Sequence, residues 1–261
     1  PSRPYAAITG VGGYIPPNRR SNTDLEQFCE TSDEWIIKRT GIKERRILDE
    51  NLATSDMAVK AIQDLAKQYN KDLRDVDALI VATSTPDMPM PATANIILDK
   101  LGLTNVWAFD VNAACSGFLY ALDMASSLVE TQRYKNILVV GADNISTYVD
   151  LKDRSTNILF GDGAGVIWLE PSLEGGVMDA YLRSNGAGRE FLKMEAGGSL
   201  YPIDSNLPVN DNRFLKQDGK TVFKHAVQSM SDACNTVLQR NNLQIGDINW
   251  LIPHQPNQRI I

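Results

Sequence analysis

Cys115 lies in the run Val111-Asn112-Ala113-Ala114-Cys115-Ser116-Gly117-Phe118, where an apolar strand pattern ends, small residues turn the chain and an apolar helix pattern begins. At a helix N-terminus the unpaired N–H groups and the macrodipole favour an anion, so the thiol pKa should fall and the thiolate become available. That environment makes Cys115 a candidate nucleophile. The plainer fate of a free cysteine, a small buried hydrophobe, suits Cys29 and Cys234, which fall inside amphipathic helical patterns at 24–30 and 227–238.

If an imidazole serves Cys115 as a base, the choice is narrow, because the chain holds two histidines. His225 falls inside a helical pattern beginning near Thr221 and reads as a surface or packing residue. His254 lies in Pro253-His254-Gln255-Pro256-Asn257, just beyond a strand pattern at 250–252. Ligands of open α/β sheets bind outside the carboxyl ends of strands, where this histidine sits. A loop histidine is as often simply solvated, and the residues by themselves leave both readings open.

The cluster Thr31-Ser32-Asp33-Glu34-Trp35-Ile36-Ile37-Lys38-Arg39-Thr40-Gly41-Ile42 places an aromatic and two bases on a short helix with a capping-type start. It reads either as a helix with a buried Trp and a solvated basic face, or as a contact for adenine and phosphate. In the second case Trp35 offers a stacking face and arginine a forked donor. Two glycine-rich stretches, Gly10-Val11-Gly12-Gly13 and Gly161-Asp162-Gly163-Ala164-Gly165, lack the helix that a dinucleotide loop needs directly after its glycines, and read as tight turns.

These groups need an α/β scaffold to hold them. Apolar runs bounded by turn residues recur at 5–9, 78–82, 106–111, 137–140, 166–169, 177–182 and 249–252, as strands do. The spacing of Met57, Ala58, Ala61, Ile62, Leu65 and Ala66 predicts a helix over 54–69, and 118–129 is apolar nearly all round, as a buried helix is. Strands alternating with helices predict a largely parallel sheet covered on both faces. Residues 58–62 and 226–230 open similar helices that lead to similar strands, 172 positions apart at Asp75 and Asp247. A duplicated chain is therefore expected, with halves at 1–172 and 173–261. By that offset Ile261 matches Pro89, so the second copy is expected to be incomplete. Residues 186–219, rich in Gly, Pro, Asn and Asp, read as a long surface excursion.

With 261 residues, 43% hydrophobic and 22% charged, the chain can bury a sizeable core and is neither disordered nor fibrous. A net charge of -6 argues against a general nucleic-acid binder, so an acidic partner must meet a local basic patch. Three scattered cysteines without a CxxC pair fit a reducing cytoplasm better than a disulfide or zinc scaffold. No leader pattern or bilayer-length apolar run is present, so a soluble protein with no membrane partner and a trimmed N-terminus is expected.

Taken in order, the segments resemble the β-ketoacyl-acyl carrier protein synthase III family of condensing enzymes. Residues 31–42 resemble its signature helix, Ala113-Ala114-Cys115-Ser116-Gly117-Phe118 its nucleophile segment and Phe160-Gly161-Asp162-Gly163-Ala164-Gly165 its glycine turn. Gly219-Lys220-Thr221-Val222-Phe223-Lys224 and His254-Gln255-Pro256-Asn257 complete the set. The resemblance implies a thiolase-like α/β fold, two βαβαβαββ halves in a layered αβαβα arrangement. It implies a decarboxylating Claisen condensation in which Cys115 takes an acyl group, normally from acetyl-CoA, and malonyl-acyl carrier protein attacks the thioester. His254, with an asparagine from a later segment, would stabilise the enolate oxygen, and the Cys115 N–H would serve an oxyanion hole.

By the same resemblance, Trp35 and Arg154 would sandwich the CoA adenine. Thr31, Arg39, Thr40, Gly219, Phe223 and Asn257 would line the pantetheine and nucleotide path, and Lys224 and Arg259 would dock the acidic carrier protein. Met90 stands where family members place a residue that crosses a homodimer interface into the acyl pocket. No metal or redox cofactor is implied. Pro256 replaces the usual alanine of the histidine motif, a change that removes no catalytic side chain. The second asparagine, the glycine-rich oxyanion loop and the last strands of the family lie beyond Ile261, so these residues alone are expected to be inactive and poorly stable. The alternatives are a related Cys/His condensing enzyme, of secondary metabolism or of the hydroxymethylglutaryl-CoA-synthase type, and a non-catalytic dimerisation or carrier-protein-binding partner on the same fold.

Overall fold

The computed structural model describes residues 3–203 and 211–261. Its strands are β1 (Tyr5–Tyr14), β2 (Asn18–Ser21), β3 (Glu44–Ile47), β4 (Ala78–Ala82), β5 (Trp107–Val111), β6 (Ile137–Asn144), β7 (Asp162–Ser172), β8 (Leu192–Lys193) and β9 (Lys216–Gln217). Its α-helices are α1 (Asn22–Leu25), α2 (Asp33–Thr40), α3 (Thr54–Tyr69), α4 (Thr93–Leu101), α5 (Gly117–Glu130), α6 (Arg154–Asn157) and α7 (Gly219–Arg240). They fall into two compact units, residues 1–18, 46–144 and 162–182 in one and residues 19–45, 145–161 and 183–261 in the other. These units follow packing, whereas the halves at 172/173 follow the internal repeat, and those halves stand as a proposal.

The first unit is a five-stranded sheet in the order β1-β7-β6-β4-β5. β4 runs parallel to both β5 and β6, while β7 runs antiparallel to β6 and to β1. With α3, α4 and α5 between the strands, the chain reads βαβαβαββ, the order expected of the first half. Alternation along the strands fills two cores, since successive side chains point to opposite faces. Leu79, Val81, Leu138, Val140, Val166 and Trp168 meet Ala58, Ala61, Ile62 and Leu65 of α3 and Ala94, Ile97 and Leu98 of α4. Ala78, Ile80, Ala82, Ile137, Val139, Ile167 and Leu169 meet Ala121, Ala125 and Val129 of α5 on the other face. Each fully buried Leu or Ile contributes about 1.5–3 kcal/mol relative to exposure.

Carboxylates tie helix starts to strands. The Asp110 carboxylate of β5 accepts the N–H groups of Thr93 and Ala94 at 2.7 and 2.8 Å, and Asp87 accepts the N–H of Ser55 at 2.9 Å. An anion at an orphan helix N-terminus is where the backbone dipoles favour it.

The second unit has its own small core of Leu25, Ile36 and Ile158, with Trp35, Leu151 and Leu159 against it. The Arg45 guanidinium is buried there, donating to Ile158 O (2.9 and 2.5 Å) and to Asn22 Oδ1 at 2.6 Å. Loss of water, with the charge of Arg20, pushes it down to about 10, so it stays cationic at neutral pH. α7 exposes or half-exposes every residue along its length.

Several local expectations change. The two glycine stretches are strand rather than turn, since residues 10–13 lie inside β1 and 162–165 inside β7. Gly12 is small because α3 crosses it, leaving an added Cβ 2.6 Å from Ala61 O and 2.7 Å from Leu65 N. Cys29 follows α1 in a turn rather than riding a helix, because α1 ends at Leu25. Residues 177–182 and 249–252 form no strand. Trp250, Leu251 and Ile252 are 85%, 68% and 87% exposed, and an apolar run becomes a strand only when a neighbour takes its backbone groups. The 186–219 excursion carries the short β8–β9 ribbon, and its residues 204–210 lie outside the described residues.

Gly12→Ala should lower unfolding free energy by about 1–3 kcal/mol or more, because backbone atoms of α3 must move, whereas Gly165→Ala, with nothing within 4 Å of the new methyl, should change it by under about 0.5 kcal/mol. Denaturant unfolding of the two variants checks this.

Candidate functional site

Cys115 sits where the strand-to-helix turn predicted it. β5 ends at Val111, a single 3₁₀ turn spans Ala114–Ser116, and α5 starts at Gly117. Ala114, immediately before the cysteine, takes φ 47°, a left-handed conformation that costs a residue with a Cβ. The turn is closed by Ser116 N–H donating to Ala113 O at 3.1 Å, and among the described residues no residue but Cys115 itself, through its own sulfur, takes the Cys115 N–H. An exposed cysteine whose N–H serves no other residue is the arrangement that nucleophilic attack on a carbonyl uses.

Two close approaches fix this turn on the sheet. Gly117 faces Ala82 of β4, where an added Cβ would stand 3.3 Å from the alanine methyl. Gly141 of β6 faces Phe118, with 3.2 Å to its Cδ2. The register aligns Ala82 with Val111 on one side and Gly141 on the other, so the carboxyl ends of three parallel strands meet at the turn.

Asp143, two residues past Gly141, belongs to the same corner. Its Oδ1 accepts the Ser84 N–H at 2.7 Å and the hydroxyls of Thr83 and Thr85 at 3.3 Å each. Both threonines are buried, and Thr85 is pinned further by donating neighbours, the Asn144 N–H at 2.8 Å and the Thr54 hydroxyl at 2.6 Å to its carbonyl. Burial pushes the Asp143 carboxyl up despite these bonds.

The expected fall in the Cys115 pKa is corrected by its surroundings. Protein around the sulfur removes enough bulk water to push the thiol up although its surface is open, and the Asp143 charge adds to that; its own N–H pulls the other way and is outweighed.

The expected nucleotide contacts lie in the second unit. Ser32 caps α2 by accepting the Trp35 N–H at 3.2 Å, and Gly41 ends it at φ 75°. The guanidinium carbons of Arg39 and Arg154 stand 4.8 and 4.6 Å from the Trp35 ring centroid, and Arg154 Nη1 donates to Glu30 O at 2.8 Å. An intervening base needs roughly 7 Å between its flanking planes, twice a van der Waals contact. The Trp35–Arg154 sandwich is therefore closed here by a direct cation–π contact. Among the described residues the Thr31 hydroxyl is buried without a partner, and Thr40 spends its own on Ile36 O at 2.8 Å.

Gly219 is the first residue of α7, behind the Asp218 cap, with Phe223 and the exposed Lys224 one turn on. Arg259 lies over the Phe223 ring at 5.9 Å, its N–H bonded to Asn257 Oδ1 at 2.9 Å. The Gln258 N–H donates to Thr40 O at 2.9 Å, tying the loop after His254 to α2. Burial pushes the exposed-edged His254 imidazole down, so it is neutral at pH 7. His225, by contrast, stacks on Phe191 at 6.1 Å as a packing residue. Met90 belongs to the first unit and is 82% exposed.

Sequence reasoning missed Asp143 and the threonines that hold it. The available signal was an acidic residue directly after the apolar run at 137–142, at the carboxyl end of a parallel strand. The left-handed Ala114 carries no sequence mark.

Residues 109–186 match the family model described as 3-Oxoacyl-[acyl-carrier-protein (ACP)] synthase III. The chain is 48% identical over 258 residues to a curated β-ketoacyl-[acyl-carrier-protein] synthase III of Bacteroides thetaiotaomicron, covering 98% of this chain and 77% of that relative. Among solved structures, the 3-oxoacyl-[acyl-carrier-protein] synthase III of Aquifex aeolicus superposes with a TM-score of 0.88 at 38% identity over 98% of this chain and 78% of its own. The priming β-ketosynthase of the R1128 polyketide pathway gives 0.90 at 33%, covering all of this chain (100%) and 77% of its own.

The raised thiol has a measurable sign. A thiol pushed above its ordinary value is more protonated at pH 7, so peptide-resolved alkylation of Cys115 by iodoacetamide should rise with pH to a midpoint above the ~8.5 of a free cysteine. Gly141→Ala, by crowding Phe118 and the turn it leads, should lower catalytic turnover about tenfold or more while unfolding shifts by about 1–3 kcal/mol; steady-state kinetics alongside a melt separate the two effects.

Proposed function

The chain belongs to the β-ketoacyl-[acyl-carrier-protein] synthase III family, and on that premise we propose how its residues divide the work of catalysis. The fold is the thiolase-like α/β fold, and the reaction is the condensation of an acyl-CoA with malonyl-acyl carrier protein that begins fatty-acid synthesis.

In our reading Cys115 attacks the acyl-CoA carbonyl, its own N–H steadies the tetrahedral oxyanion, and coenzyme A departs carrying the thiol proton. Malonyl-acyl carrier protein then loses carbon dioxide, the resulting enolate carbon attacks the Cys115 thioester, and the sulfur leaves as a thiolate that takes a proton from water to return as a thiol. The observation that carries this is the strained turn at Ala114, which presents the sulfur together with a backbone donor that, among the described residues, serves no other residue. His254 donates a ring N–H to the enolate oxygen. Its depressed pKa supports that role, since a neutral imidazole can hydrogen-bond without first being protonated. No metal or redox cofactor enters, because the thioester supplies the activated carbon.

The nucleotide end of acyl-CoA binds along Thr31, Trp35, Arg39, Thr40, Arg154, Gly219, Phe223 and Asn257, once Arg154 has moved off the indole to admit adenine. The unpaired buried Thr31 hydroxyl supports a ligand there, because a buried hydroxyl without a partner is costly. Lys224 and Arg259, both exposed, receive the acidic carrier protein. The enzyme works as a homodimer, a reading supported by β5 standing at an open sheet edge and by the exposed Met90. Among the described residues no helix is long and apolar enough to cross a membrane, and a cytoplasmic setting fits the substrates.

A second reading, priming of a secondary-metabolite pathway, is favoured by the similarity to the R1128 priming ketosynthase. Intact mass spectrometry with a panel of acyl-CoAs tests both. The fatty-acid reading expects one acetyl group transferred from acetyl-CoA and none in Cys115→Ala, whereas a preference for longer or branched acyl-CoAs supports the second. Removing the stacking face in Trp35→Ala should raise the KM for acyl-CoA about tenfold with kcat nearly kept, because the ring binds substrate and transition state alike.

A further inference from the structure

We propose that Asp143 is a positioning residue for the nucleophile, a carboxylate clamped at the ends of β4 and β6 by Thr83, Ser84 and Thr85 whose charge acts on Cys115 across the corner they share. The proposal rests on reading Cys115 as the acylated nucleophile.

The geometry brings the two groups to one corner. Phe118, three residues after Cys115, packs on Gly141, two residues before Asp143. Thr83 N–H donates to Val111 O at 3.1 Å, so the segment clamping Asp143 is joined to the end of the strand that leads to the cysteine. The Asp143 charge pushes the Cys115 thiol up, in keeping with that shared corner. The other ionisable groups on the strands around this corner are engaged elsewhere. Asp110 of β5 is bound to the start of α4, and Asp162 of β7, paired in register with Asn144, accepts the Leu48 N–H at 2.8 Å. Among the described residues no cation pairs with Asp143.

Structure alone does not ask for a charge here. All three donors converge on Oδ1, and the amide oxygen of an asparagine could accept the same bonds. The charge instead lowers stability. With the folded pKa raised above the unfolded one, the unfolded chain gives up its proton more readily, so stability is full below the unfolded value and falls as pH rises through the folded one. A carboxyl group kept where an amide would serve the same bonds marks a place where its charge, once ionised, can act on chemistry. Beside it the thiolate is scarcer but more basic, and a more basic thiolate is the stronger nucleophile toward a thioester.

The test is the pH dependence of Cys115 alkylation by iodoacetamide, read on the Cys115 peptide so that Cys29 and Cys234 do not contribute, in the full-length enzyme. Asp143→Asn should move the midpoint down by about half a unit or more and speed alkylation at pH 7 about threefold. Asp143→Glu, which keeps the charge, should stay near the wild-type midpoint, and Asp143→Ser serves as a second neutral variant should the asparagine fail to fold. An unshifted midpoint in a folded neutral variant overturns the proposal, as do equal shifts in the Asn and Glu variants. Iodoacetamide needs no acyl-CoA, so failure here is distinct from failure of Cys115 to accept an acetyl group.

Discussion

The first turn of α5 can lie on the ends of β4 and β6 only because Gly117 and Gly141 leave space where a methyl would press on Ala82 and Phe118 at 3.3 and 3.2 Å. Everything at the corner follows from that approach. It brings the end of β5 into a tight turn that holds Ala114 in the left-handed region and lifts the cysteine out of the ladder. Strain of this kind persists where the surroundings over-determine it, and here two packed cores on opposite faces of one sheet do so.

Charge is placed differently at this corner than elsewhere in the unit. Glu170 meets Lys71 and the Thr9 hydroxyl, and its bonds outweigh its burial, so its carboxyl is pulled down. Asp110 and Asp87 serve helix starts. Asp143 alone of these stands beside a nucleophile, and burial wins over its three hydrogen bonds. The same loss of water raises the cysteine, with the Asp143 charge acting in the same direction.

The second unit is organised around Trp35. The buried Arg45 cross-links Asn22 to Ile158, and Asn22 reaches on to Asp33 Oδ1 and Ile42 O at 2.8 Å each, so both ends of α2 are held before any ligand is present. The indole is thereby fixed while two long arginine side chains remain on its surface, a rigid plane with movable cations.

Strand and helix identity in the first unit was legible in the sequence, since period-2 and period-3.6 patterns are local properties: residues 54–69 are a helix end to end, and the runs at 78–82 and 106–111 are strands within a residue. The family was legible too, because its ordered motifs are read from residue identity alone. The glycine runs and the stretches at 177–182 and 249–252 were not. Whether glycine turns or lets a helix pass, and whether an apolar run finds a strand partner, is set by neighbours distant in sequence. The sequence by itself determined which residues could do chemistry and in what order the elements come. Only the tertiary structure decided that Asp143 shares a corner with Cys115 and that the thiol rises rather than falls, because burial and charge proximity exist only once separate strands have been brought side by side.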